Sequence, residues 1–287
     1  MGFVDLHTHS DASDGSFTPA HLVHLAKEAG LCAIALTDHD TTAGIADAVD
    51  AGKELGVEVI PGIELSGNYE GHEIHILGLF INPDDPELKA FLKDMRSRRN
   101  RRNEEMFRRL AADGISFTDE ELFGSNPQTV ITRAHVARAM VQKGFCSSAN
   151  QAFKKYLEYG GRYCPPKEEP EPESIVKILL KNGAFAALAH PFLYKLGDKQ
   201  TKALITRLAE AGMQGLEVYH SSNYPLESRK LQKMAAGLKL LPTGGSDFHG
   251  SCKPDISIGT GRGGLRVSEL LLEDIRRCVC PKSQKET

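Results

Sequence analysis

No stretch of this 287-residue sequence approaches the roughly 18 apolar residues that a membrane helix needs, and residues 1–10 read as the start of a strand, without an apolar signal-peptide core. A soluble, cytoplasmic chain with no membrane partner is therefore expected. A disulfide framework is missing too. The six cysteines, Cys32, Cys146, Cys164, Cys252, Cys278 and Cys280, are scattered and read as reduced thiols. Cys278 and Cys280 stand close, but no second pair of cysteines or histidines stands at zinc spacing from them. Nor is there an excess of one charge: 35 basic against 38 acidic side chains leave a formal charge of −3. That gives no electrostatic reason to bind long duplex nucleic acid irrespective of sequence. No low-complexity tract interrupts the chain, and 40% hydrophobic with 25% charged residues is a globular composition.

What is present is a rhythm of short apolar strands and amphipathic helices. Phe3 to His9 reads as a strand, and Thr18-Pro19 supplies an N-cap and first-turn proline for a helix that stops at Gly30. A strand at Cys32 to Thr37, a helix at Ala43 to Leu55 and strands at Val57 to Ile60 and Glu73 to Ile81 follow. The pattern resumes with helices at Pro172 to Lys181, Lys199 to Ala211 and Leu226 to Gly237, and strands at Ala184 to Ala189, Gly215 to Tyr219 and Lys239 to Leu241. A last helix covers Val267 to Cys278, and Pro281 to Thr287 is expected to fray. Repeated βα units imply a parallel sheet with both faces covered, and an α/β barrel uses about 200 to 250 residues as one domain. The breakers around Pro83 to Pro86 and Pro165-Pro166 divide the chain into a barrel, residues 1–83 and 166–280, and a mostly helical insert, residues 84–165, over one mouth of it.

The histidines carry the chemistry. Six of eleven, His7, His9, His39, His75, His190 and His249, fall at or beside strand ends in the company of acids. His7 and His9, two apart on a strand, share a face, with Asp14 just beyond. Asp38 precedes His39, Glu64 follows the third strand, and Asp247 stands two before His249. Active sites of βα barrels form where the strands end. Nine N/O ligands on one rim (His7, His9, Asp14, His39, Glu64, His75, His190, Asp247 and His249) are too many for one tetrahedral ion and enough for two or three divalent ions. Mixed imidazole and carboxylate donors suit Mn, Fe or Zn. His21, His24, His72 and His220 read as bystanders, and Asp5 and Asp38 as orienters of the ligands or caps of strand ends.

Taken in order, Asp5-Leu6-His7-Thr8-His9-Ser10 with Ser13-Asp14-Gly15, Thr37-Asp38-His39-Asp40, Gly62-Ile63-Glu64, Ala189-His190-Pro191 and Gly245-Ser246-Asp247-Phe248-His249 resemble the polymerase and histidinol phosphatase (PHP) family over nearly the whole chain. The resemblance implies a distorted (β/α)7 barrel of the α/β class and phosphate-ester hydrolysis by a two- or three-metal cluster. It also implies that His7, His9 and Asp247 hold one ion, that Glu64 bridges it to a second held by His75 and His190, and that Asp14, His39 and His249 hold a third. The family often has histidine where this chain has Asp14.

Two cations about 3.5 to 4 Å apart can activate a shared water and clamp an in-line displacement at phosphorus. Glu64, Asp247 and His249 are the candidate catalytic residues, the last two for steering protons. Arg133 and His135 open a helix in the insert and are expected to hold a substrate phosphate, with Arg262 as a further contact. The basic run Arg96, Arg98, Arg99, Arg101 and Arg102 reads as a solvated helix face, neutralised by Glu104 and Glu105. Lys154, Lys155, Tyr156 and Tyr163 are candidates to line a mouth for a base or sugar. Gly259 to Gly264 matches G-x-G-x-x-G, but no βαβ unit follows, so it reads as a loop. The expected activity is a phosphoesterase acting on a small phosphorylated metabolite, in the manner of a nucleoside 3′,5′-bisphosphate or a cyclic-phosphate sugar. The alternatives are 5′ to 3′ trimming of short RNA and a metal-binding module without turnover.

Overall fold

The computed structural model describes residues 2–279 apart from Ser125, Pro127, Gln128 and Lys167, so Cys280 and the tail 281–287 lie outside the described residues. Strand β1 (Phe3–Thr8) leads to α1 (Pro19–Glu28), where the Thr18 hydroxyl accepts the His21 N–H. Then come β2 (Leu31–Leu36) and α2 (Ile45–Leu55), which ends at Gly56 with φ +69°.

Here the structure departs from a pure βα repeat. β3 (Glu58–Tyr69) runs twelve residues, well past Ile60, and turns back directly into β4 (His72–Leu79). The turn residues Glu70 and Gly71 both have positive φ, +50° and +83°, as a two-residue hairpin between Tyr69 and His72 requires. β4 then pairs antiparallel with β5 (Phe185–Leu188), so the expected all-parallel sheet is mixed. After α7 (Pro172–Lys181), β5, α8 (Gly197–Glu210), β6 (Gly215–His220), α9 (Pro225–Leu238) and β7 (Leu241–Gly245) restore parallel pairing, and β8 (Val267–Ser268) and α10 (Glu269–Val279) finish the fold.

The sheet order is β7-β6-β5-β4-β3-β2-β1-β8. Past the end of β7, Asp247 N–H donates to His7 O at 2.9 Å and His9 N–H to Phe248 O at 3.0 Å. These bonds bring the first and last long strands together and make the sheet a nearly closed barrel. Between β4 and α7 lie α3 (Pro86–Ala112), α4 (Asp119–Phe123), α5 (Arg133–Gln142) and α6 (Ala149–Lys155), which bury Met106, Leu110, Val136, Met140 and Leu157 in a core of their own. Among the described residues no helix is long and apolar enough to cross a membrane.

Candidate metal centre

One rim of the barrel brings all nine expected residues to one place, from strand ends, from within β3 and β4, and from the loop after β1. Glu64, inside β3 and fully buried, is its centre. Its Oε2 lies 3.2 Å from His7 Nε2, 3.2 Å from His9 Nε2 and 3.3 Å from His39 Nδ1. Its Oε1 lies 2.9 Å from both His75 Nδ1 and His190 Nε2. Asp247 Oδ1 faces His7, His9 and His249 at 3.6, 3.4 and 3.5 Å. Asp14 lies 3.3 Å from His249 Nε2 and 3.8 Å from His39 Nε2. Two of these residues, His190 (φ +24°) and Asp247 (φ +58°), sit in backbone conformations that side chains other than glycine rarely adopt.

The donors fit divalent ions. His7 Nε2, His9 Nε2, His39 Nδ1 and Glu64 Oε2 are buried and none has a hydrogen-bond partner, a costly arrangement for polar atoms unless a cation satisfies them. Three overlapping groups each bring one ligand atom per residue within 4.8 Å of the others: His7, His9, Glu64 and Asp247; His9, Asp14, His39 and His249; and His39, Glu64 and His75. Tautomers agree with this reading. His7 Nδ1 is 2.9 Å from Glu217 Oε1, and His249 Nδ1 is 2.8 Å from the Asp247 carbonyl. A proton on each Nδ1 leaves Nε2 a lone pair facing the cluster.

Electrostatics sort the groups. Burial alone would raise the Glu64 carboxyl, but His7, His39 and His75 hold it well below the usual range. Burial is likewise outweighed at Asp247 by Lys253 and His249, and at Asp14 by His39 and His249. Burial depresses His39, His190 and His249, which stay neutral. It is overcome at His9 by Asp247 and Glu64 and at His75 by Glu64, so both are pushed up to about 9. Glu217 and Glu64 likewise hold His7 well above the usual imidazole range despite its burial. Asp247, ionised, is placed to accept a proton rather than give one, and His249 holds its Nδ1 proton against the Asp247 carbonyl.

Several expectations about the surroundings are corrected. His220, read as a bystander, is buried with Nε2 3.4 Å from Asp247 Oδ2. Glu217 went unnoticed, yet its other oxygen accepts the His190 N–H at 2.7 Å. A glutamate inside an apolar strand was the available signal. Asp38 accepts hydrogen bonds from Ser10 and Ser13, and Asp5 from the Ser246 and Gly259 N–H groups, so both fasten loops beside the ligands. His135 caps its own helix: its Nδ1 accepts the Thr132 N–H at 3.1 Å, and burial pushes its pKa down to about 4. Buried and committed to the cap, it does not line the cavity that holds Arg133.

The arginine run is not simply solvated either. The Arg99 side chain is nine-tenths buried, ion-paired with Asp40, and its Nε has no partner. Burial, with Arg102 adding to it, lowers its pKa to about 10. Arg99 and Arg133 line a cavity of about 190 Å³ with Phe153 and Tyr159, which also reaches Asp14, His39 and His75. There Arg133 donates to Glu73 at 2.9 Å and lies over the Tyr159 ring, 3.5 Å from its centroid. Phe153 and Tyr159 are thus the aromatics at the mouth; none of Lys154, Lys155, Tyr156 and Tyr163 lines this cavity, and Tyr163 is buried in the helical core. Arg262 pairs with Asp255 at 2.7 Å and lines a separate groove with Ser221 and Tyr224, not the cavity that holds Arg99 and Arg133.

Comparison with known proteins gives the chain its relatives. The PHP domain family matches residues 5–163. A 5′-3′ exoribonuclease of Escherichia coli is 38% identical over 257 residues, 89% of this chain and 87% of that protein. A 3′,5′-nucleoside bisphosphate phosphatase of Chromobacterium violaceum is 35% identical over 251 residues, 87% of this chain and 88% of that one. Among solved structures, one from Bifidobacterium adolescentis, provisionally assigned as a metal-dependent phosphoesterase, superposes with a TM-score of 0.83 at 31% identity, covering 96% of each chain. An amidohydrolase structure from Chromobacterium violaceum with bound sulfate and no metal gives 0.82 at 34% identity over 89% of each chain.

Proposed function

The chain belongs to the PHP domain family and is a metal-dependent hydrolase of phosphate esters, and from that premise we propose that its substrate is a small nucleotide or sugar phosphate bearing a second anionic group, a nucleoside 3′,5′-bisphosphate foremost. One observation carries this reading: the cavity holding Arg99 and Arg133 adjoins His39 and His75 of the metal centre, so a second anion can be held while a phosphate lies over Glu64. Tyr159 and Phe153 offer stacking faces to a base. The helical segment, residues 84–165, serves as a subdomain contributing this pocket.

In this reading His7, His9 and Asp247 would hold one divalent ion, His75 and His190 a second, with Glu64 shared between them, and Asp14, His39 and His249 would hold a third. Mn, Fe and Zn all suit the donors. Bound there, such ions supply a hydroxide near neutral pH and neutralise charge on the phosphoryl group. The protein's own part is to fix the ligands, through Glu217 and the Asp247 carbonyl, and to orient the ester by its remote anion.

The Escherichia coli relative favours a second reading, removal of nucleotides from the 5′ end of short RNA. A module without turnover is not supported, since none of the nine ligand positions is missing. Steady-state rates on adenosine 3′,5′-bisphosphate, its monophosphates and a 5′-phosphorylated oligoribonucleotide test the proposal. A bisphosphate preferred in kcat/KM by at least ten-fold supports it, and monophosphates turned over equally well contradict it. Preference for the oligonucleotide establishes the second reading.

A further inference from the structure

We propose that Lys253 is a catalytic residue whose ammonium group binds a non-bridging oxygen of the scissile phosphate. The inference rests on the phosphate-ester reading and adds a residue that neither the sequence pattern nor the arginine pocket supplies. Lys253 stands on the loop after the 3₁₀ turn Gly250–Cys252, and its Nζ lies 2.6 Å from Asp247 Oδ2. Its side chain is 38% exposed and reaches into a cavity of about 240 Å³ directly over the centre, with Glu64, His75, His190, Leu193 and Tyr194. That cavity shares His39 and His75 with the arginine pocket, so Lys253 and the arginines flank the same ligands.

Elimination among the donors singles it out. Among the described residues lining this cavity, Lys253 is the one lysine or arginine. The Tyr194 hydroxyl donates to Ala189 O at 2.7 Å and accepts the His75 N–H at 2.9 Å, so it is committed. The imidazoles of His75 and His190 face Glu64. Asp247 does not need the lysine as its sole partner, since His220 Nε2 also approaches Oδ2 at 3.4 Å. His220 Nδ1 accepts the Ser222 N–H at 3.1 Å, which places the imidazole proton on Nε2, facing Asp247. Divalent ions held by this centre would repel the ammonium, and its flexible stem lets it turn to a phosphate as a point charge.

The test is Lys253→Met with Lys253→Arg as its control. A charge on the scissile group serves every substrate alike. Lys253→Met should therefore lower kcat/KM by roughly 100-fold on both adenosine 3′,5′-bisphosphate and p-nitrophenyl phosphate, and raise the inhibition constant of inorganic phosphate at least ten-fold. Metal content by elemental analysis should match wild type, and Lys253→Arg should recover most of both losses. Unchanged phosphate inhibition, a loss confined to the bisphosphate, or activity lost together with metal would overturn the role. Wild-type protein inert on both esters with metal supplied would overturn the small-phosphate reading itself, and the role of Lys253 with it.

Discussion

Glu64 can bridge because its two oxygens face different partners, Oε2 towards His7, His9 and His39 and Oε1 towards His75 and His190. Glu217 acts at one remove, accepting from His7 Nδ1 and from the backbone N–H of His190. Replacing it by glutamine keeps the volume but loses the charge and one acceptor. The expected result is a 10- to 100-fold loss of metal affinity, read by chelator competition, with the fold intact by circular dichroism. Protons also report on this cluster. After chelation, His9 and His75 hold protons up to about 9 in the folded state but only to about 6.5 unfolded, so the stability they contribute is present below about 6.5 and lost as pH rises to about 9. His39, His190 and His249 are shifted down, so stability also falls as pH drops below about 6.5. Thermal melts of chelated protein should peak near neutrality, and metal should flatten the alkaline limb. A melting temperature that climbs steadily from pH 6.5 to 9 would refute this. The candidate ligands were legible in the sequence because histidines recur in the company of acids beside the predicted strands. Glu217 and Lys253 were not, because one lies inside a strand and the other in a loop, where only the closed barrel relates them to the rim.

At the scale of elements, the rim depends on how tightly β1 and β7 approach. A Cβ on Gly245 would lie 2.4 Å from both the His7 backbone nitrogen and its Cβ. Gly245→Ala is therefore expected to push β1 outward, lowering stability by about 1–3 kcal/mol in denaturant titrations and weakening metal binding. Helix α3 is the other decisive element. Its sequence looked solvated because five arginines within seven residues spread around a helix, yet Arg99 and Arg102 turn inward onto Asp40 and Tyr159. Helical spacing tells which residues share a face, not which face another element covers. Arg99→Met should lower kcat/KM on a bisphosphate by about 10- to 100-fold and much less on p-nitrophenyl phosphate, since an ionic hydrogen bond at a remote anion is worth roughly 1.5–3 kcal/mol. Equal losses on both would remove Arg99 from the second-anion pocket. The β3–β4 hairpin escaped the sequence reading for a related reason: apolar periodicity marks a strand but not its direction, and the turn pair Glu70-Gly71 lacks the usual Asn or Asp.

Over the whole molecule, one barrel rim supplies the ligands and one helical segment supplies a neighbouring cationic, aromatic pocket. The barrel was readable because each βα unit states itself locally in sequence. The pocket was not, since Arg99, Arg133, Phe153 and Tyr159 come from separated stretches and meet only when the helices pack on Met106, Leu110 and Val136. All of this turns on the proposal that the centre holds more than one ion through Glu64. Elemental analysis of metal-loaded protein, run in parallel on wild type and Glu64→Gln and followed by a turnover assay on the same samples, measures that directly. The account predicts at least two divalent ions per wild-type chain, and fewer ions with almost no turnover in Glu64→Gln. A single ion in fully loaded wild type, or a Glu64→Gln protein that retains both its ions and its activity, would contradict it.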